Sequence, residues 1–529
     1  MVLKKRFYFF IFIFALNLQI SAQNTSLNKN VNYYYESALN FDSSFHYTVK
    51  PYKQDSYKNI KVNEIVTDNS VLNKVLNNNL IDLGNEKFNL CINPIINSVI
   101  YNDFSRKQFF GDYKAGISFQ SSYKDKLFVS SEFFTAQSAF PSFYDNLIDN
   151  SEIVPHYGKF LRNNNSDLLY YSWTGDLTYQ ANNNISFSVG RGKNFLGNGY
   201  RSLFLSDNSN AYPYLKTEVD IWKIKYLWMI TKLSDVRISD GANPLILYDK
   251  AVFTHYFSIN ITKRINFDFF ETVITNPFDS EGRRISYDAV YFNPVIFYRP
   301  TEFYKGSSDN SMMGLGLNIR FGKSSFLYSQ FILDDLVISS LKDGSGWWGN
   351  KFGIQTGVKI YNLFKVHGLF VRGEMNFVRP YTYSHGEAYI STGIANLNYG
   401  NFRQESAHPF GANFAEGIAV VRYVKGRFSG KLRINLIKKG EDTDTISYGG
   451  DIYKSYYLRP SNYGITFLQG TLTDYQIFDI GVSYLLNPKY NLMFQAGFYY
   501  RRRINEFITE ENQIFYIGFS GNIFNSLLD

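Results

Sequence analysis

The sequence predicts an all-β protein, a transmembrane antiparallel β-barrel of about 18 strands with a short N-terminal periplasmic segment. An apparent export signal begins the chain, and short segments of alternating apolar and polar residues recur from about residue 87 to residue 524. Aromatic residues make up 18% of the chain. After residue 23, no apolar run approaches the ~18 residues that a membrane-spanning helix requires, so strands are expected to cross the membrane.

Residues 1–22 have the features of a cleaved signal peptide. The basic tripeptide KKR precedes the apolar run FYFFIFIFALNL. As a helix this run would reach only ~18 Å, which is short of a ~30 Å hydrocarbon core. Ile20 and Ala22 occupy the −3 and −1 positions, which predicts cleavage after Ala22. We therefore expect export of the mature chain to the outer membrane of a bacterial cell.

Charge and composition exclude several other classes of protein. The formal net charge is +8, and it falls to +5 when the three basic residues of the signal peptide are removed. This mild excess gives no case for nucleic-acid binding. Cys91 is the only cysteine, so no intramolecular disulfide can form. A soluble exported protein would need a very large core for its 43 Tyr and 49 Phe, whereas a barrel turns such residues to lipid.

The alternating segments predict strands with one apolar and one polar face. Phe257, Ile259 and Ile261 alternate with polar residues, and the pattern resumes after a turn at 262–264. Further segments of this kind occupy 313–321, 431–436 and 478–500, and the last strand is predicted from about 513 to 524.

Two architectures fit this alternation. A soluble β-sandwich buries the apolar face, whereas a membrane barrel turns it outward to lipid and encloses the polar face. Strands of about ten residues favour the barrel, as do aromatic residues near strand ends. Arg320, Lys431 and Arg433 lie on polar faces, where a wet lumen tolerates charge. The barrel must close, because an open sheet edge in lipid would leave backbone N–H and C=O groups unpaired.

The chain divides into a signal peptide (1–22), a lead-in (23–83) and the barrel (84–529). The lead-in is Asn-rich, with short helices predicted at 33–41 and 71–80. Long connections, which could cover or plug a barrel mouth, are predicted at 139–166, 193–218, 272–290, 299–311, 335–349, 379–412 and 440–460.

The segment 189–216 is rich in glycine and basic residues, but it contains no GxxxxGK[ST] pattern and no dinucleotide fingerprint. We interpret it as a strand end that bends into the lumen, with glycines that allow close packing.

Patterns for enzymatic or metal chemistry are weak. There are six histidines, and neither GxSxG nor HExxH accompanies them. Asp334 and Asp335 are expected to pair with arginines in the lumen. Asp442 and Asp444 begin like a calcium loop, but Ile446 occupies the third ligand position. We therefore expect no enzyme activity, no cofactor and no metal.

Three blocks of sequence resemble one known family. They are SLFLSDNSNAYPYL at 202–215, YSQFILDD at 328–335 with the preceding FNP and DN, and QESAHPFGANF at 404–414. They resemble the capsule-assembly outer-membrane barrels of the Wzi family, and most closely its RemB-type branch, which is associated with gliding motility. The resemblance covers 190–415 in patches.

The resemblance implies a barrel that holds or organises surface polysaccharide, or supports gliding motility and cell-surface adhesion. Its implied partners are surface polysaccharide, outer-membrane lipid and other outer-membrane or gliding-machinery proteins. It implies no catalytic residues. The alternative is an outer-membrane porin or substrate-selective transporter, because a barrel of this size can hold an aqueous channel.

Polysaccharide binding would use aromatic faces that stack on sugar rings, with polar groups that bond to hydroxyls. The candidate sugar contacts are Tyr200, Arg201, Asp207, Asn208, Trp347 and Trp348. Ordinary loop packing is the alternative role for each of them, and the two tryptophans could instead belong to an interfacial girdle.

Overall fold

The computed structural model describes residues 27–29, 33, 36, 46–52, 70–162, 167–237, 246–275, 289–295, 298, 309–385 and 397–521. The predicted signal peptide and most of the predicted helix at 33–41 lie outside these residues.

Two short strands, Ile81–Asn85 and Leu161–Arg162, pair with members of a closed barrel. Within the described residues, eighteen long antiparallel strands form the wall of this barrel. They are β1 (Phe88–Asp103), β2 (Gln108–Tyr123), β3 (Leu127–Ser138), β4 (Leu168–Gln180), β5 (Ile185–Gly192), β6 (Tyr212–Ile221), β7 (Ile224–Arg237), β8 (Ile246–Asn260), β9 (Ile265–Thr275), β10 (Asn310–Phe321), β11 (Ser325–Asp335), β12 (Lys351–Tyr361), β13 (Leu369–Val378), β14 (Phe414–Lys425), β15 (Phe428–Glu441), β16 (Thr471–Asn487), β17 (Leu492–Ile504) and β18 (Thr509–Ser520). Each strand pairs with its neighbours in the chain, and β18 closes the barrel on β1, with Ile514 opposite Asp103. The predicted architecture and strand number are confirmed.

The β8–β9 hairpin shows why these residues form a barrel wall. Ser258 and Asn260 are buried on the inner face, whereas Ile261 at the turn is 52% exposed. The strands therefore enclose polar side chains and turn apolar ones outward, as the alternation predicted. Outward-facing large side chains on other strands, each at least one-third exposed, include Phe133, Trp173, Phe187, Leu315, Leu436, Ile480 and Phe515.

Many charged side chains inside the barrel form ion pairs. Asp479 Oδ2 lies 2.7 Å from Lys431 Nζ and 3.5 Å from Arg433 Nη2. The predicted arginine partners of Asp334 and Asp335 are wrong, because Lys351 Nζ contacts the two carboxylates at 3.1 and 3.0 Å. Strand register brings Lys351 opposite Asp335, and register is not visible in the sequence pattern.

The two ends of the barrel differ in their connections. At one end, eight turns of two to seven residues join the strands, whereas connections at the other end reach 35 residues. In outer-membrane barrels the short turns face the periplasm and the long loops face outward. The predicted connection 193–218 ends earlier than expected, because buried Tyr212 and Tyr214 alternate with exposed residues and begin β6. The final strand, β18, likewise begins before the predicted 513.

Three α-helices whose full bounds fall within the described residues lie outside the barrel wall: α1 (Ser70–Asn77), α2 (Asp145–Ser151) and α3 (Ile338–Lys342). Among the described residues, no helix has both the length and the apolar character needed to cross a membrane. The first helix lies at the short-turn end, where Asn487 Nδ2 donates to Val75 O at 2.7 Å and to Asn78 O at 2.9 Å.

Part of the predicted lead-in lies inside the barrel. Residues 46–52, here called the strap, are largely buried in the lumen. Val49–Lys50 form a two-residue strand that pairs antiparallel with Phe195–Leu196. The strap therefore contributes to the interior of the barrel.

Candidate functional site

Residues 193–211, here called the plug loop, leave β5 and cross the lumen. Gly197 has a φ of +135°, and a Cβ at this position would collide with the amide of Gln330 on the opposite wall. Only glycine adopts this backbone conformation without strain. The predicted bend into the lumen is confirmed.

Apolar packing holds the plug loop against the wall. Phe204 is fully buried, and its ring lies 5.0 Å from that of Phe270, with only 5° between the ring planes. Leu203 beside it is also fully buried, and its backbone N–H donates to Gln330 Oε1 at 2.8 Å.

Glu374 on β13 fixes the next part of the plug loop. Its carboxylate accepts the backbone N–H of Tyr200 at 2.6 Å and that of Arg201 at 3.1 Å. It also accepts the hydroxyl of Tyr328 at 2.7 Å. Because hydrogen bonds to a charged group are stronger than neutral ones, this carboxylate sets the position of residues 200–201.

The strap holds the plug loop from the short-turn end. Thr48 O accepts the backbone N–H of Gly197 at 2.7 Å, and His46 Nδ1 lies 2.9 Å from Ser258 Oγ on the wall.

Glu36 joins this inner layer through a network of charges. Lys50 Nζ lies 2.6 Å from its carboxylate, Arg372 Nη2 lies 3.3 Å away and Lys359 Nζ 3.5 Å away. Burial alone would raise the pKa of Glu36, but these three positive charges hold it well below its ordinary value.

The connection between β13 and β14 also enters the lumen. His408 Nε2 lies 2.7 Å from Glu416 Oε2, and both side chains are fully buried. Burial lowers the pKa of His408 although Glu416 opposes this effect. Ser406 O accepts the backbone N–H of Ser206, which joins this connection to the plug loop. The geometry gives His408 a structural role.

The other residues considered for enzymatic or metal chemistry pack against aromatic rings or bond to the backbone of their own loop. His385 lies near Tyr456, with ring centroids 6.1 Å apart, and His255 stacks on Tyr298 at 4.1 Å. Asp442 accepts backbone N–H groups of its own loop, including that of Tyr448 at 2.7 Å. Among the residues that the structure describes, no group of three or more His, Cys, Asp or Glu is placed to hold a metal ion.

Four of the six predicted site residues meet in the plug loop. Tyr200 Oη accepts from Arg433 Nη1 at 2.7 Å, and the Arg201 guanidinium lies 5.2 Å from the Tyr200 ring centroid. The backbone oxygen of Asp207 accepts from Lys193 Nζ at 3.1 Å, and Asn208 Nδ2 donates to a backbone oxygen at 3.0 Å. Burial lowers the pKa of Lys193 to about 7, against the opposing charge of Asp207.

These residues border two adjoining cavities inside the barrel. The larger spans about 600 Å³ of space not filled by protein atoms and the smaller about 320 Å³, and both volumes include space open to solvent. Both are lined by Lys29, Phe195, Tyr200 and Asp207.

Sequence reasoning missed most of the larger cavity. Its walls include Glu36, Lys50, Arg372 and Arg422. The two arginines lie on polar faces of alternating strands, which is a signal that could have identified them. Glu36 lies in an Asn-rich stretch without periodicity and gave no comparable signal.

Trp347 and Trp348 lie elsewhere, in the connection between β11 and β12 at the long-loop end. Trp347 is 5.2 Å from Tyr463 between ring centroids, and Trp348 is 4.7 Å from Tyr456. The guanidinium of Arg459 lies 4.3 Å from the Trp348 ring. Together these five residues are here called the outer aromatic cluster.

Backbone hydrogen bonds fix the two connections that form the outer aromatic cluster. Trp348 N donates to Asn462 O at 3.0 Å, and Gly464 N donates to Ser345 O at 2.9 Å. The tryptophans are half-buried, whereas Tyr463 is 56% exposed. The cluster therefore presents aromatic surface that is already ordered.

The barrel is similar to the structure of Wzi, an outer-membrane protein involved in group 1 capsule assembly in Escherichia coli and titled a carbohydrate-binding β-barrel. The TM-score is 0.54 with 11% sequence identity, over 94% of this chain and 99% of that chain. The fold is that of an outer-membrane β-barrel. The predicted Wzi-like fold is thus confirmed, whereas membership of the RemB-type branch stays a prediction.

Two Pseudomonas aeruginosa structures are less similar. OccK8 (OprE) has a TM-score of 0.42 and 10% identity over 81% of this chain and 97% of that chain. OccK1 (OpdK) has a TM-score of 0.44 and 9% identity over 82% and 98%. No family model and no curated protein matches the sequence.

Proposed function

We propose that the protein is a non-enzymatic outer-membrane barrel that holds or organises surface polysaccharide at its long-loop end. The outer aromatic cluster is the observation that carries this proposal. Carbohydrate binding by the similarly folded Wzi supports it. The sequence resemblance to the RemB-type branch extends the proposal to gliding motility and adhesion, with other outer-membrane proteins as partners.

The outer aromatic cluster has the chemistry that sugars require. Aromatic faces pack against the C–H groups of a sugar ring, and cations and tyrosine hydroxyls bond to its polar groups. Because backbone hydrogen bonds already order Trp348 and Gly464, little conformational entropy is lost when a ligand binds.

The filled lumen supports a role in retaining polysaccharide rather than in letting solutes pass through the barrel. The plug loop crosses it, and Leu203 and Phe204 are fully buried there. A substrate-selective transporter is the second candidate, because the two cavities leave space within the lumen. Conductance of the pure protein in planar bilayers separates the candidates, since sustained conductance favours the transporter.

The experiment compares Trp347→Ala and Tyr463→Ala with the matched control Trp222→Ala. Trp222 lies in a short turn at the opposite end and is 80% exposed. We expect both cluster variants to lose binding to polysaccharide extracted from the producing cells, and those cells to retain less of it at their surface. The control should behave like the wild type.

Unchanged polysaccharide binding in both cluster variants would contradict the proposal. A membrane-girdle role for the tryptophan instead predicts a weakened association of Trp347→Ala with lipid vesicles and unaltered binding of polysaccharide.

A further inference from the structure

Arg201 has an unusual environment for a buried cation. The residue is only 9% exposed, and its Nε atom is buried without a hydrogen-bond partner in the described part of the chain. Its guanidinium rests on the ring of Tyr200. Arginine keeps its charge in proteins, so a buried guanidinium requires hydrogen bonds as well as a nearby opposite charge.

Two carboxylates of the barrel wall lie near Arg201, and neither accepts a hydrogen bond from its guanidinium within the described residues. Glu374 accepts the backbone N–H of Arg201 and that of Tyr200. Glu416, on the adjacent strand, accepts from His408 and from the amides of Asn376 and Asn435. Glu416 interacts electrostatically with Arg201, but the hydrogen bonds of both carboxylates come from donors other than the Arg201 guanidinium.

The two cavities around Tyr200 carry an excess of positive charge. Among the described residues, their lining includes five lysine or arginine side chains and two carboxylates, those of Glu36 and Asp207. Glu36 already contacts Lys50 and Arg372. In addition to burial, the positive charges of Arg191 and Lys29 lower the pKa of Lys193, as expected for a region of positive potential.

We propose that the cavity beside Arg201 binds a compact anion, namely a carboxylate or phosphate group, to which Arg201 donates hydrogen bonds. The planar guanidinium matches the geometry of both groups. The rings of Phe195 and Tyr200 line the same cavity, which suits an acidic sugar residue. This luminal site is separate from the outer aromatic cluster and goes beyond the proposed function.

The experiment uses the full-length protein in detergent micelles and measures binding by isothermal titration calorimetry. The probes are trigalacturonate, the neutral trisaccharide maltotriose and inorganic phosphate. We expect trigalacturonate to bind and maltotriose not to bind. Arg201→Gln should weaken trigalacturonate binding at least tenfold, and Arg201→Lys should weaken it less.

The matched control is Arg264→Gln, which removes one exposed arginine from the turn 261–264 at the short-turn end of the barrel. It should bind trigalacturonate as the wild type does. Retention of heat-modifiable migration in SDS electrophoresis checks that each variant folds. If Arg201→Gln fails this check, Tyr200→Leu, which removes the ring beneath the guanidinium, replaces it.

Phosphate binding that depends on Arg201, without trigalacturonate binding, supports the anion site and assigns it to a phosphate source. The inference is overturned if neither anion binds, if maltotriose binds as well as trigalacturonate, or if Arg201→Gln binds like the wild type. These outcomes are independent of the outer aromatic cluster, because Trp347→Ala leaves the luminal site intact.

Discussion

The plug loop should be released from the barrel wall when Phe204 is replaced by alanine. The ring is fully buried, stacks on Phe270 at 5.0 Å and lies near Tyr256 at 6.4 Å between centroids. Loss of a buried phenylalanine ring costs about 3–5 kcal/mol. At ~1.4 kcal/mol for each tenfold change, the equilibrium between seated and released plug should shift by roughly two to three and a half orders of magnitude.

Planar-bilayer conductance and limited proteolysis measure this shift. A released plug leaves part of the lumen open to ions and exposes Arg201, which is buried in the seated plug, to trypsin. We expect higher conductance and faster cleavage after Arg201 in Phe204→Ala. Phe187→Ala is the control, because Phe187 lies on β5 beside the plug but is 46% exposed on the outer face.

The reasoning is refuted if Phe204→Ala conducts and is cleaved like the wild type while it remains folded. It is equally refuted if Phe187→Ala shows the same increase, since the effect would then arise from general destabilisation of the barrel.

Two further predictions concern helix α1 at the short-turn end of the barrel and the pH dependence of the plug loop. Asn487→Ala removes a hydrogen bond to Val75 O in α1 and another to Asn78 O just after it, which costs about 1–3 kcal/mol of local stability. Hydrogen exchange at 71–78 should accelerate, and unchanged protection would contradict this. The pKa of Lys193 is lowered from 10.5 to about 7, so between these values the released plug binds more protons than the seated plug. The seated plug should therefore gain stability as pH rises from about 7 to 10.5, measured as falling conductance, and Lys193→Met should abolish this dependence.

The barrel wall was predictable from sequence because each strand has an inner and an outer environment. Ser258 and Asn260 are buried on the inner face, while large apolar side chains on the other face are exposed to the surroundings. That contrast has a period of two residues and is visible without any knowledge of strand neighbours. The strand number follows from counting such segments.

The interior was less predictable, because it depends on register and on contacts between distant segments. Tyr200, Arg201 and Asp207 lie together because they are close in the chain, and their role as sugar contacts stays a prediction. Arg422 lines the larger cavity with Tyr200 and Asp207 because it lies opposite Phe370 in the β13–β14 pair, and a periodic pattern does not specify register.

The strap was missed for a different reason. Val49 pairs with Leu196, which is distant in the sequence, and the composition around Val49 does not indicate this contact. Trp347 was grouped with Tyr200 by residue type alone, and the structure places them in separate sites.

The strap also constrains how the protein can be assembled. Val49–Lys50 lie within a ring of strands whose seam is the β18–β1 pair, so the interior must be occupied before that seam closes or be filled from the short-turn opening afterwards. A bulky tag fused ahead of residue 27 would compete with the strap for space in the barrel interior. A tag inserted in the turn 505–508 would leave the packing of the strap unchanged. Fusion position is therefore expected to decide whether the recombinant barrel matures.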